Sequence, residues 1–355
     1  MLYTSERDPL TIRSSHTVEQ FTDMPCPEAF LPMIDRPSPF PFNDILALID
    51  ELPPVPSGNS CGEASTHDGS LPVPGGAMAG YASWLVQWQD SASPRLRRPV
   101  VAVFAASHAE PAVSACGDSI ARVENVVTAS QARTALVCRV CDRQGLGLRV
   151  FELAPEIPVP DFASVAAMEE ADCAATMAYG MEATAGGADL LVLRACAAGH
   201  AASVAAMAAL LLGPAEGDDA VTSLAARAEV LHRAHKSAPL EILRRVGGRE
   251  NAALAGAILA ARLQRVPVIL DGSGAVAVAV LLDRLRPGTA AHCLIAASDG
   301  HPDFDRLQAA SGLPAVLAGC HLEGDGTTGA LAAAMIQTAV ELSAPAEDEP
   351  GSRPN

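Results

Sequence analysis

Ala253-Leu254-Ala255-Gly256-Ala257-Ile258-Leu259-Ala260-Ala261, followed by Arg265-Val266-Pro267-Val268-Ile269-Leu270-Asp271-Gly272, is the stretch that decides the fold. The first segment is a run of small apolar residues and predicts a helix over 250–263. The second is a short apolar run, as a strand buried on both faces should be, and it stops at Asp271-Gly272. The same alternation recurs along the chain. Val100-Val101-Ala102-Val103-Phe104, Leu148 to Leu153, Asp189 to Leu193 and His292 to Ala297 read as further strands. Helices are expected at 119–142, 165–186 and 275–285, with an Ala-rich one over 201–212. Strands and helices alternating at these intervals imply parallel βαβ units. The predicted fold is therefore α/β, with a doubly wound, mostly parallel sheet flanked by helices. Ligands of such sheets bind beyond the carboxyl ends of the strands. The informative residues are then Ala105 to Glu110, Arg194 to Ser203, Asp271 to Gly274, and Ala297 to Asp303.

Outside this body the chain changes character. Residues 1–40 are Pro-containing and read as an arm, because the alternate prolines Pro37, Pro39 and Pro41 forbid a helix. A helix is expected from Asn43 or Asp44 to Pro53, then a Pro/Gly/Ser-rich loop over 53–76, then a second helix at Tyr81 to Trp88. The acidic segment 344–355 reads as a disordered tail.

Composition narrows the function. The chain has 355 residues, 24 Lys and Arg against 41 Asp and Glu, and a net charge of −17. That balance argues against a nucleic-acid or anionic-membrane partner, since both need clustered cations. No apolar run reaches the roughly 18–20 residues that span a bilayer. Met1 to Arg13 carry charges of both signs and lack an apolar core, so a cytoplasmic location is expected. Nine scattered cysteines fit reduced thiols. Cys138 and Cys141 form a lone CxxC without the second pair or His cluster of a zinc site. A metal on His321, Glu323 and Asp325 is set aside, and no cofactor is expected.

Several segments resemble the nicotinate-nucleotide:dimethylbenzimidazole phosphoribosyltransferases of cobalamin biosynthesis. Val246-Gly247-Gly248-Arg249-Glu250, the Ala-Gly-Ala-Ile-Leu-Ala-Ala run and Pro267-Val268-Ile269-Leu270-Asp271-Gly272 are close to the family's "VGG…AGAILAA…PVILDG" block. Phe42 to Ile45, Arg98 to Phe104 and Met177 to Glu182 extend the likeness over residues 40–342. The resemblance implies a large α/β domain (here 91–317) and a small helical domain from both chain ends (41–90 and 318–343). It also implies a homodimer, and transfer of phosphoribose from nicotinate mononucleotide to dimethylbenzimidazole.

That chemistry needs a base for the attacking heterocycle, backbone N–H groups for the phosphate, an apolar slot for a flat ring, and exclusion of water. The family's G-E-M-G-x-G-N-T-T aligns with Arg194 to Ala202, where Gly199 alone is kept and His200 stands at the asparagine. Its G-x-G-T-G loop aligns with Gly213-Pro214-Ala215-Glu216-Gly217, and its following lysine with Arg227. His108 and Ser114 match base-pocket positions, while Asp271 and Gly272 follow a strand as a ribose contact would. The family's catalytic glutamate falls on Glu323 or Asp325, an extra residue leaving the choice open. Three readings follow: a working transferase, an inactive paralogue that binds a benzimidazole-like base or pairs with an active relative, and an enzyme of changed substrate. The expected ligand is a small base or nucleotide, and in the third reading an uncharged molecule in the emptied phosphate site.

Overall fold

The computed structural model describes residues 41–56, 76–91, 94–117, 119–319 and 324–343. The expected N-terminal arm, most of the 53–76 loop, the acidic tail and Glu323 lie outside these residues. Five strands form one parallel sheet: β1 (Pro99–Ser107), β2 (Gly147–Glu152), β3 (Leu190–Ala198), β4 (Val268–Asp271) and β5 (Cys293–Ile295), in the order β2-β1-β3-β4-β5. In chain order the helices are α1 (Pro41–Asp50), α2 (Ala77–Gln89), α3 (Glu110–Cys116), α4 (Ile120–Gln131), α5 (Leu136–Gln144), α6 (Glu170–Met181) and α7 (His200–Leu212). They continue with α8 (Ala220–His232), α9 (Pro239–Ile242), α10 (Gly248–Leu263), α11 (Ser273–Leu285), α12 (Phe304–Ser311) and α13 (Thr327–Ser343). Among the described residues no helix is long and apolar enough to cross a membrane.

Apart from the edge strand β2, which carries Arg149 and Glu152, the strands form because both faces are apolar, and alternation then assigns the faces. Val100, Ala102, Phe104, Leu191, Leu193, Val268 and Leu270 point to a first layer that includes α1, α6, α7, α10 and α11. Val101, Val103, Leu190, Val192 and Ile269 point to a second layer, built by α2, α5 and α13. Cys138 and Cys141 sit in that second layer, where burial pushes the Cys141 thiol up to about 12. The doubly wound sheet is thus as expected from sequence.

Two details differ. The stretch 119–142 is two helices, because Arg133 adopts a left-handed φ of 57° and Thr134 N–H donates back to Ala129 O at 2.8 Å. That is the return bond of a helix stop, made here without glycine. β3 runs to Ala198 rather than ending at Leu193, so Arg194 lies inside the strand. Its extension is small residues paired in register with β1, Ala195 opposite Phe104 and Ala198 opposite Ser107.

α10 is buried on nearly every side, as a helix apolar all round must be. It reaches that position by touching α6 backbone to backbone. A Cβ on Gly256 would fall 1.8 Å from Met177 O, and one on Gly180 would fall 2.0 Å from Ala253 O. Gly256→Ala should therefore lower the unfolding free energy by about 1–3 kcal/mol, the usual range for overpacking. Urea titration reads this directly; an unchanged midpoint would show that the two helices separate freely and that their contact does not seat α10.

Candidate functional site

In the order β2-β1-β3-β4-β5 the strand sequence reverses between β1 and β3, and the crevice at their carboxyl ends is where such sheets bind ligands. β1 delivers His108 there, its N–H bonded to Ala198 O at 2.9 Å. β3 delivers Gly199, whose φ of 80° starts α7 and aims His200 back toward β1. A Cβ on Gly199 would lie 3.0 Å from the Cβ atoms of both Ala112 and His108.

Both imidazoles converge on one carboxylate. His108 Nε2 lies 2.7 Å and His200 Nδ1 3.0 Å from Glu250 Oε1. Glu250 sits in the first turn of α10 with no exposed surface, and its Oε2 has no hydrogen-bond partner among the described residues. Burial raises the Glu250 carboxyl, but the charges and hydrogen bonds of the two histidines outweigh it and hold the group below the usual carboxylate range. His108 is closed off, with its ring edge-on to Phe162 at 5.8 Å, whereas 16% of the His200 side chain is open. Glycines make the room. A Cβ on Gly248 (φ 71°) would lie 2.5 Å from His108 Cε1, and one on Gly274 would lie 2.3 Å from His200 Nε2. Asn251 steadies the turn before α10, donating to Gly247 O at 2.7 Å and to Ser203 Oγ at 3.4 Å.

A second polar group lies across the Gly272–Gly274 loop. Arg194 Nη1 reaches Asp271 Oδ1 at 3.4 Å and Asp271 O at 3.3 Å, and its Nε is buried without a partner among the described residues. Gly329 N–H donates to Asp271 Oδ2 at 2.9 Å. Burial pushes the Asp271 carboxyl up, against the pull of Arg194. Asp299 accepts from Ser273 N–H at 2.8 Å and from its hydroxyl, and so caps α11.

The sequence-derived residues divide by location. His108, Gly199 and His200 come together in the crevice, with Asp271 and Gly272 at the neighbouring strand end. Asp325 is buried and fully engaged: Oδ1 accepts from Thr327 N–H at 2.9 Å and from its hydroxyl at 2.5 Å, and Oδ2 accepts from Val137 N–H at 3.1 Å. It thereby caps α13 and ties it to α5. Ser114 lies on an exposed face of α3 and donates to Glu110 at 3.1 Å, and Arg227 is exposed on α8. The segment Gly213 to Gly217 borders a separate cavity of about 370 Å³ between α8 and α12, lined in part by Glu216, Asp219 and Asp303. Its one guanidinium, on Arg306, is committed to Asp303 and to Gly213 O, each at 2.5 Å. Three carboxylates around a satisfied arginine do not favour phosphate.

A phosphoribosyltransferase family model matches residues 62–348. The chain belongs to that family. Among its relatives is the nicotinate-nucleotide–dimethylbenzimidazole phosphoribosyltransferase of Rhizobium etli CFN 42, 39% identical over 319 residues, covering 85% of this chain and 94% of that protein. The enzymes of the same name from Sinorhizobium sp and Rhizobium rhizogenes K84 are each 40% identical over 319 residues, covering 85% and 84% of this chain and 94% and 93% of theirs. The crystal structure of the Thermus thermophilus enzyme shares the fold, with a TM-score of 0.68, 23% identity, and coverage of 86% of this chain and 96% of that one.

In this phosphoribosyltransferase the segment resembling the family's central motif spans the end of β3 and the first turn of α7. Sequence reasoning passed over Glu250 and Asn251, and gave no role to Arg194 and Asp299, which lie in segments it marked as informative. The signal for Glu250 was an acid directly after Gly247-Gly248-Arg249 at the head of a helix whose middle, Ala252 to Ala261, is small and apolar. Removing its charge leaves two imidazoles on a neutral group. Glu250→Gln should cost about 3 kcal/mol at pH 7, the low end for breaking a buried pair. Since the folded carboxyl titrates below its unfolded value, its stabilisation is present at neutral pH and is lost on acidification below about 4. The gap between wild type and variant in urea unfolding should therefore shrink toward pH 3; a gap constant with pH would mean that Glu250 is not ionised in the fold.

Proposed function

We propose that this phosphoribosyltransferase transfers a phosphoribosyl group from nicotinate mononucleotide to dimethylbenzimidazole, a step of cobalamin assembly. The observation that carries the reading is the extent of the likeness: 39% identity spanning 85% of the chain and 94% of a relative named for that reaction. The crevice supports it locally, since a polar cluster at the sheet's switch point is where a nucleotide would be held.

In this reading Ser114 lies on the side of the incoming base, and His108 stands behind it, closed off and bonded to Glu250. Gly199, His200, Asp271, Gly272 and Arg227 serve the nucleotide, and Glu323 or Asp325 stands at the family's catalytic carboxylate. Asp325 already accepts three hydrogen bonds, from the Thr327 N–H and hydroxyl and from the Val137 N–H.

The reaction is tested by incubating the protein with both substrates at millimolar concentration and following nicotinate and α-ribazole phosphate by liquid chromatography with mass detection. Equal amounts of the two products are expected. Absence of product, with neither substrate bound in calorimetry, would reject the transferase and favour the inactive paralogue. The cytoplasmic homodimer implied by the resemblance belongs to the same proposal. Light scattering on a sizing column should return twice the chain mass, and a monomer at micromolar concentration would reject the dimer.

A further inference from the structure

Resting on the transferase reading, we propose that Arg194 binds the ring carboxylate of the donor nucleotide, and so selects nicotinate over nicotinamide as the leaving group. Alternation along β3 sends its side chain to the face of Val192, the side covered by α13. Arg194 stands opposite Asp271, the last residue of β4. A guanidinium stays charged at any working pH and offers five N–H donors in one plane. Asp271 uses Nη1 alone, through the two contacts at 3.3 and 3.4 Å. Nη2 has no hydrogen bond to any described residue, and neither has Nε. These two nitrogens form one edge of the plane, the fork that takes both oxygens of a carboxylate.

The surroundings set that edge at the reacting end of the donor. A Cβ on Gly324 would fall 2.7 Å from Nη2, and one on Gly272 would fall 2.3 Å from Nη1, so glycine at both positions makes room for the group. Gly324 lies between Glu323 and Asp325, the two positions on which the family's catalytic carboxylate falls. The counterparts of the phosphate motifs lie elsewhere, in the first turn of α7 and beside the cavity between α8 and α12. Two carboxylates, Asp271 and Asp299, stand on the Nη1 side, Asp299 across Gly272. Arg227 is exposed on α8 and Arg306 is committed to Asp303, so neither competes for the ring. The planar anion at the ring end of a nicotinate nucleotide is its carboxylate.

The charge changes of the reaction favour an arginine here. In the nucleotide the carboxylate shares its ring with a positive nitrogen. One ring nitrogen of the benzimidazole gives its lone pair to C1′ of the ribose. The bond from C1′ to the pyridine nitrogen breaks, and its electron pair stays with nicotinate. The proton on the other benzimidazole nitrogen goes to the carboxylate that the resemblance sets in the segment before α13. The departing ring passes from zwitterion to anion, so Arg194 holds it more strongly as the bond breaks. An interaction that strengthens toward the transition state speeds the step.

The test measures kcat/KM with dimethylbenzimidazole and three donors: nicotinate mononucleotide, nicotinamide mononucleotide, which lacks the carboxylate, and nicotinate riboside, which lacks the phosphate. A hydrogen bond to a charged group corresponds to about 10- to 150-fold. Wild type should prefer nicotinate mononucleotide over its amide by that factor. Arg194→Gln should lose the preference through the two nicotinate donors alone, and Arg194→Lys, which keeps the charge without the fork, should fall between. A preference that survives in Arg194→Gln would overturn the assignment. So would a loss seen with both mononucleotides and absent with the riboside, which would put the guanidinium on the phosphate. A readout independent of the variants' folding is the Arg194 Nε–H signal in 1H–15N spectra of wild type. It should move on adding nicotinate and stay in place with nicotinamide; a signal that ignores nicotinate would also overturn the assignment. A wild type that forms no product from any donor, yet shifts that signal with nicotinate, would remove the transferase reading and leave the carboxylate contact standing.

Discussion

α10 has almost no free surface, and that depends on two glycines that meet main chain across a helix pair. Gly180 on α6 and Gly256 on α10 each stand where a Cβ would fall within about 2 Å of a carbonyl oxygen of the other helix. Without that approach α10 would ride higher above the sheet, and its first turn would not reach the strand ends. With it, Glu250 is carried beneath the carboxyl ends of β1 and β3, between residues that those strands deliver. The position of a polar group at the crevice is therefore set by a contact of small residues that lies two turns away along the same helix.

A carboxylate so placed would by itself be untenable, since an unpaired buried charge costs several kcal/mol. Two imidazoles on one oxygen offset that cost, and the glycines at 199, 248 and 274 clear the volume that the rings occupy. The family motif resembled here offers neutral donors, Asn and Thr, at the start of α7. This chain offers one imidazole followed by two alanines, His200-Ala201-Ala202. At the start of α7 this chain has an ionisable group where the motif has an asparagine, while the motif's own glutamate is replaced by Ala195. Arg194, half-committed to Asp271 from the other side of the Gly272–Gly274 loop, adds a second ionisable group within the β3 segment that aligns with the motif.

Much of the fold was legible because parallel strands covered on both faces must be apolar, and most of the strand regions read that way, with Arg149 and Glu152 on the edge strand β2 the exceptions. What escaped was local. The end of β3 is Ala-Cys-Ala-Ala, weak as a strand on propensity and held by its pairing with β1. The stop after α4 falls at Arg133, with neither glycine nor proline to announce it. At the site, His108, Gly199 and His200 were visible from their places after strands. Glu250 was not, because an acid in a first helical turn is ordinarily a solvated partner of the helix dipole. Only the tertiary position of α10 buries it. Ser114 and Arg227 came from alignment alone, and the structure sets both on exposed helix faces.

The second layer over the sheet has a consequence for the birth of the molecule. Its covering helices come from distant parts of the chain, α2 at Ala77–Gln89 and α13 at Thr327–Ser343, with every strand in between. A ribosome adding about 5–20 residues per second needs roughly ten to fifty seconds to travel from one to the other. As each is added during that interval, Val101, Val103, Val192 and Ile269 present apolar surface with only part of its cover made. The nascent chain therefore depends on whatever shields that surface during synthesis, and a truncation that removes α13 would leave it bare in the finished product.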